Sequence, residues 1–92
     1  MARQGYEIIE RNYCEKFGEI DIIAAKAGVI HFVEVKSGDG FNPIYAITPA
    51  KLSKVIKAAE SYMQKKRLTN LYSIDALVAW RGDFELIENI TL

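Results

Sequence analysis

The stretch Gly18-Glu19-Ile20-Asp21-Ile22-Ile23-Ala24-Ala25-Lys26-Ala27-Gly28-Val29-Ile30-His31-Phe32-Val33-Glu34-Val35-Lys36-Ser37 decides the fold. Two runs in it, Glu19 to Ala25 and Val29 to Ser37, are rich in β-branched residues and read as strands. Lys26-Ala27-Gly28 between them is short enough for a β-hairpin, with Gly28 free to take a positive φ. Each run carries an anomaly. Asp21 sits among isoleucines and Glu34 among Phe32, Val33 and Val35. Near-continuous apolar runs mark strands covered on both faces, where an ionised group must be paired or bound to a metal.

Outward from this hairpin, Tyr6 to Asn12 forms a first strand and Asn12 to Gly18 a turn, so three strands make an antiparallel meander. Gly38 to Ile47 holds two glycines and a proline and reads as a loop, with Asp39 as a loop residue within reach of a substrate. Thr48-Pro49 announces a helix: threonine is a favoured N-cap, and proline suits the first helical position. The helix runs to about Arg67, with Leu52, Val55, Ile56, Ala59 and Met63 as its sheet-facing stripe and Lys51, Lys54, Lys57 and Lys65 on a polar side. Tyr72 to Trp80 is a fourth strand, Arg81-Gly82-Asp83 a turn, and Phe84 to Ile90 a fifth strand or an edge. The order βββαββ, with a helix between strands three and four, permits a parallel crossover and hence an α/β mixed sheet.

At 92 residues the chain is sized for one domain, 1–92, and a chain this short would gain stability from homodimerisation. Its single cysteine, Cys14, excludes an internal disulfide and lacks a partner at metal spacing. The first residues hold no apolar run of signal-peptide type, and the apolar stretches are strand-sized, so a cytoplasmic protein without a membrane span is expected. Net charge is zero, whereas nucleic-acid binders usually carry a basic footprint, although balanced totals can hide a basic face.

Strand alternation gives the two carboxylates a shared setting. Glu34 and Lys36 leave the same face of the third strand, and Glu19 and Asp21 share a face of the second. A hairpin pivoting about Ala27-Gly28 sets Asp21 opposite Glu34 and Glu19 opposite Lys36; a three-residue loop would shift that register. Paired carboxylates repel, and a divalent cation converts the penalty into attraction. Mg²⁺ or Mn²⁺ suits such oxygen ligands, with water and phosphate completing the shell. Lys36 beside Glu34 could orient a water or offset charge developing on phosphate, which points to phosphodiester hydrolysis. The plainer alternative is a solvated hairpin face with a cross-strand ion pair, against which Asp21 in its apolar run weighs. His31 alternates away from Glu34 and reads as packing.

Gly18-Glu19-Ile20-Asp21-Ile22-Ile23-Ala24 followed by Phe32-Val33-Glu34-Val35-Lys36 resembles the PD-(D/E)xK nuclease superfamily. More closely, the chain resembles the uncharacterised bacterial YraN-like family, itself similar to archaeal Holliday-junction resolvases. Gly5-Tyr6, Arg11-Asn12, Ala46-Ile47-Thr48-Pro49, Lys51, Ala59 and Tyr62 extend the likeness along nearly the whole chain. The resemblance implies a restriction-endonuclease-like core, with Asp21 and Glu34 as metal ligands and Asp21, Glu34 and Lys36 as catalytic positions. It implies Mg²⁺ (or Mn²⁺) as cofactor and nucleic acid, DNA above all, as partner. That core is normally ordered αβββαβ, and Met1 falls at the end of where its first helix, which commonly carries a further glutamate of the site, should be. Either Met1 is not the true start or that acidic group is missing, in which case Glu19 is the residue placed to substitute in part.

Two further residues have double readings. Lys51 at the helix start contacts phosphate or is a solvated lysine. The family often has Arg-Phe-Asp on the fourth strand where this chain has Ser73-Ile74-Asp75, and Asp75 either supports the site or acts as a structural partner. The expected function is a metal-dependent DNA endonuclease acting on branched or otherwise structured DNA. The alternative is a non-catalytic nucleic-acid-binding module on the same fold.

Overall fold

The computed structural model describes residues 5–16, 18–38, 47–80 and 82–90. Its elements are β1 (Glu7–Glu15), β2 (Gly18–Lys26), β3 (Val29–Gly38), α1 (Pro49–Lys65), β4 (Tyr72–Trp80) and β5 (Asp83–Ile87). They form one five-stranded sheet in the order β1-β2-β3-β4-β5. β1, β2 and β3 pair antiparallel, β4 joins β3 in parallel, and β5 returns antiparallel to β4. The expected meander, helical crossover and mixed sheet are all present. Among the described residues no helix is long and apolar enough to cross a membrane.

The β2–β3 hairpin turns where the sequence placed it. Lys26 pairs with Val29, and the two residues between them, Ala27 at φ 51° and Gly28 at φ 79°, both take the left-handed conformation. Two consecutive positive φ values give the turn type whose twist matches the flanking strands. The register is therefore fixed at the value that aligns Ile23 with Phe32 and Ile22 with Val33.

α1 starts as its sequence dictates, with Thr48 Oγ1 accepting the Lys51 amide and Pro49 at the first position. Its buried residues are Val55, Ala58, Ala59, Tyr62 and Met63, while Leu52 and Ile56 are only partly covered. The stripe is thus rotated towards Ala58 and Tyr62 relative to the expected one. Tyr62 draws the helix over: its ring meets Tyr13 and Phe32 edge-on, at 5.2 and 5.7 Å between centroids. Ile20, Ile23, Ile30, Phe32 and Ile74 supply the sheet's share of this core.

Other boundaries move for identifiable reasons. β1 continues past Asn12, expected to begin a turn, because Asn12 absorbs a φ of 53° and Tyr13 and Glu15 go on to pair with Ile20 and Gly18. β5 stops at Ile87 rather than Ile90; Ile90 donates its amide to Ile74 from beyond the strand end. Most of the expected loop from Gly38 to Ile47, Asp39 included, lies outside the described residues.

Candidate functional site

Glu34, Lys36 and Phe32 alternate onto the helix-covered face of β3, and their β4 neighbours Ala76, Val78 and Ile74 share it. Phe32 lies under Tyr62. Two residues further along the strand, Glu34 emerges beneath the first turn of α1, where Lys51 Nζ stands 3.8 Å from Glu34 Oε2. The small Ala76, fully buried, is the β4 residue aligned with Glu34.

β2 breaks its pleat beside this point. Ile20 and Ile23 are both fully buried in the same core although they are three residues apart, which strict alternation forbids. Gly18, at the start of β2, also faces the helix, since a Cβ there would sit 3.4 Å from Lys54 Cβ. The switch of face falls across Asp21 and Ile22. The β2–β3 backbone pairing ends at Ile22–Val33, and Asp21 Oδ2 accepts the Val35 amide at 2.8 Å where the ladder would have continued. A side-chain carboxylate thereby takes up a strand amide that lies past the last backbone pair.

Contacts and charge effects together link these groups. Glu34 is only 3 % exposed, and its Oε1 is buried without a hydrogen-bond partner among the described residues. Burial first, then the charge of Asp21, pushes the Glu34 carboxyl above its ordinary range, against the opposite pull of Lys51 and Lys36. Glu19 adds the smallest upward push; it is exposed and stands at the margin. Lys36 is held below its ordinary value first by the neighbouring Lys51 side chain and then by burial, while Glu34 and Asp21 act the other way. Asp21, Glu34, Lys36 and Lys51 therefore form one group at the end of the β2–β3 pair, with Glu19 beside it.

Asp75 is not brought to this group. It aligns with Val33 on the opposite face of the sheet, fully buried. His31 Nδ1 lies 2.6 Å from its Oδ2, and its Oδ1 accepts from Ser73 Oγ and from the Asn89 amide. Of its two readings, the structural partner describes this geometry. His31 packs edge-on against Tyr6 at 5.1 Å, away from Glu34 as alternation required. Cys14 is a free, exposed thiol.

The donor set decides what the group can hold. Among the described residues no three His, Cys, Asp or Glu side chains come together as a ready-made metal cage. Asp21 and Glu34 supply two carboxylates, one of them with a buried bare oxygen. That suits a hard cation such as Mg²⁺, which keeps several waters and is commonly held by one or two carboxylates plus substrate phosphate. A pocket between the start of β2 and the head of α1 adjoins the group, lined by Gly18, Glu19, Thr48, Lys51 and Lys54 among others. Sequence reasoning weighed Lys51 without identifying its partner, since a contact between a helix start and a strand 17 positions away leaves no periodic trace.

Comparison with known proteins gives a consistent result. The model of the family described as "Uncharacterised protein family UPF0102" matches residues 1–86. A UPF0102 protein of Wolinella succinogenes is 59 % identical over 88 residues, covering 96 % of this chain and 82 % of its own length. One from Helicobacter pylori is 59 % identical over 87 residues, covering 95 % of this chain and 76 % of its own. Another, from Helicobacter hepaticus, is 54 % identical over 88 residues, covering 96 % and 80 %.

Proposed function

The chain belongs to the uncharacterised, YraN-like family UPF0102, and for this member we propose metal-dependent hydrolysis of phosphodiesters in DNA, with branched or otherwise structured DNA among the substrates to be tested. One observation carries the reading: a carboxylate 3 % exposed, with a buried oxygen bare among the described residues, within electrostatic reach of a second carboxylate. The arrangement is costly, since an apolar residue there would cost the fold less. Its cost is explained if a cation completes it.

Asp21 and Glu34 would hold Mg²⁺ or Mn²⁺. When bound, such an ion polarises a phosphoryl oxygen and makes a coordinated water more acidic. The remaining work falls to the chain's own side chains. Asp21 is oriented by the Val35 amide, which fixes one of its oxygens and leaves the other for a ligand. Lys36, on the same face as Glu34, orients the attacking water and offsets negative charge gathering on phosphate. Its partial burial and lysine neighbour favour giving up or sharing a proton more readily than a solvated lysine would.

Incubating the purified protein with branched, single-stranded and double-stranded DNA in Mg²⁺ or Mn²⁺ tests this. Metal-dependent cleavage that disappears in both Asp21→Asn and Lys36→Ala supports the assignment; cleavage that survives both removes it.

A second reading is favoured by the lack of a third ligating side chain among the described residues: a nucleic-acid-binding module that does not cut. It calls for salt-sensitive DNA binding with no cleavage under any metal. Under either reading a homodimer is a reasonable assembly for so small a domain, and sedimentation equilibrium measures it directly.

A further inference from the structure

We propose that Lys51 is the resident counter-cation of Glu34, displaced when a divalent cation binds, and that its freed ammonium then engages a phosphate of the substrate strand. This rests on the metal-site reading above and adds a coupling between metal and nucleic acid.

Charge balance motivates it. Asp21 and Glu34 carry two negative charges, and Lys36 and Lys51 bring two positive ones to the same place. The group is neutral as it stands, with exposed Glu19 at its edge. A divalent cation on the carboxylates would leave two ammonium charges uncompensated at short range. One must leave or meet a new anion, and a phosphodiester is the anion that the proposed reaction supplies.

Lys51 is the one built to move. Its side chain is 42 % exposed against 4 % for Glu34, and at 3.8 Å the pair is too long for a hydrogen bond. Its backbone is fixed separately, through its amide to Thr48 Oγ1, so the side chain can swing without disturbing the helix. A cation in a helix's first turn faces the positive end of the helix dipole, and this turn holds no acidic residue to retain it. Lys51 is therefore held over the site by the strand carboxylates and not by its own helix. Lys36 is rooted in β3, two residues from Glu34, and its side chain is partly covered.

The test is calorimetric titration of the full chain with Mn²⁺ alone, comparing wild type with K51M, K51R and the neighbouring K54M. Removing a displaceable ammonium should tighten Mn²⁺ binding about tenfold in K51M, a modest gain for a partly solvated charge pair. K51R restores the cation and K54M leaves it in place, so both should stay within about twofold of wild type. Unchanged or weaker binding in K51M overturns the proposal, as does an equal gain in K54M, which would mean diffuse charge alone. If neither wild type nor K51M binds Mn²⁺, the metal site itself falls and this inference with it. Equal, measurable affinities remove only this inference. For the phosphate half, a duplex with cleavage-resistant phosphorothioate linkages is titrated across salt concentrations in saturating Mn²⁺. The slope of log affinity against log salt should shrink by about one in K51M, and an unchanged slope overturns that half.

Discussion

Asp21 accepts the backbone amide of Val35 at 2.8 Å, at the point where the backbone pairing of β2 and β3 has ended. The carboxylate thus has two separable properties, an acceptor oxygen and a charge. Asparagine keeps the first and loses the second; alanine loses both. Asp21→Asn should hold the thermal midpoint near that of wild type, whereas Asp21→Ala should lose about 1 kcal/mol, the usual worth of one hydrogen bond. Denaturant melts of the metal-free proteins read this. Equal losses in both variants would mean that the charge, not the amide contact, holds the strand ends.

Glu34 should cost the fold stability. Its carboxyl is raised by burial and by Asp21, so between its unfolded value and its higher folded value the native state binds more protons than the unfolded one. Stability must then fall as pH rises through that window, the reverse of an ordinary paired carboxylate. Glu34→Gln removes the buried charge and should stabilise the metal-free protein at neutral pH by on the order of 1 kcal/mol, while abolishing Mn²⁺ binding. A destabilised Gln variant would show that the Lys51 contact outweighs burial.

These two residues also mark where the sequence was legible and where it was not. Asp21 and Glu34 stood out because a carboxylate in an isoleucine-rich strand violates a local pattern, and the two-residue Ala27-Gly28 turn fixed the register as far as Ile22–Val33, one position short of the expected Asp21–Glu34 pair. Strand and helix existence was equally local: alternation, a Thr48-Pro49 start, a turn at Gly28. The pleat switch between Ile20 and Ile23 was not readable, because it arises from packing two helix-facing residues of odd spacing under one helix. Nor was the role of Asp75, whose partners His31 and Asn89 lie 44 and 14 positions away. The rotated helix stripe was hidden because Ala58 is small and Tyr62 amphipathic, and only the aromatic contacts to Tyr13 and Phe32 decide which way they face.

Asp75 gathers three polar partners in the interior of the back face: the His31 ring, the Ser73 hydroxyl and the Asn89 amide. Asp75→Ala would leave these without their acceptor, and a broken buried network of this kind costs about 3–5 kcal/mol. The loss should be local as well as global, because Asn89 ties the segment after β5 to β4. Hydrogen exchange at the Asn89 amide should quicken sharply in Asp75→Ala even if that variant stays folded. Mn²⁺ affinity in the same variant should be unchanged, since the residue lies across the sheet from Glu34. A matched loss of metal binding in a folded variant would place Asp75 with the site after all.

Glu15 sets the acid limit of the fold. Lys65 Nζ donates to its Oε1 at 2.7 Å, Ser61 Oγ at 3.1 Å, and the Tyr13 hydroxyl shares the same oxygen, so one carboxylate fastens the end of β1 to the last turn of α1. Lys65 first, and Tyr13 next, lower its pKa from 4.5 to about 2. With the folded value below the unfolded one, the stabilisation is fully present above pH 4.5 and is lost as pH falls towards 2. Tyr13 works in the opposite sense at the alkaline end: burial and then Glu15 raise it from 10.0 to about 12, so its contribution is intact below pH 10 and disappears as pH climbs through the folded value. Glu15→Gln should therefore flatten the acid limb of a plot of thermal midpoint against pH between 2 and 4.5 and shift the alkaline limb to lower tyrosine control. Lys65→Met should flatten the acid limb in part, because Tyr13 and Ser61 remain. An acid limb unchanged in both variants would show that the β1–α1 fastening does not govern unfolding at low pH.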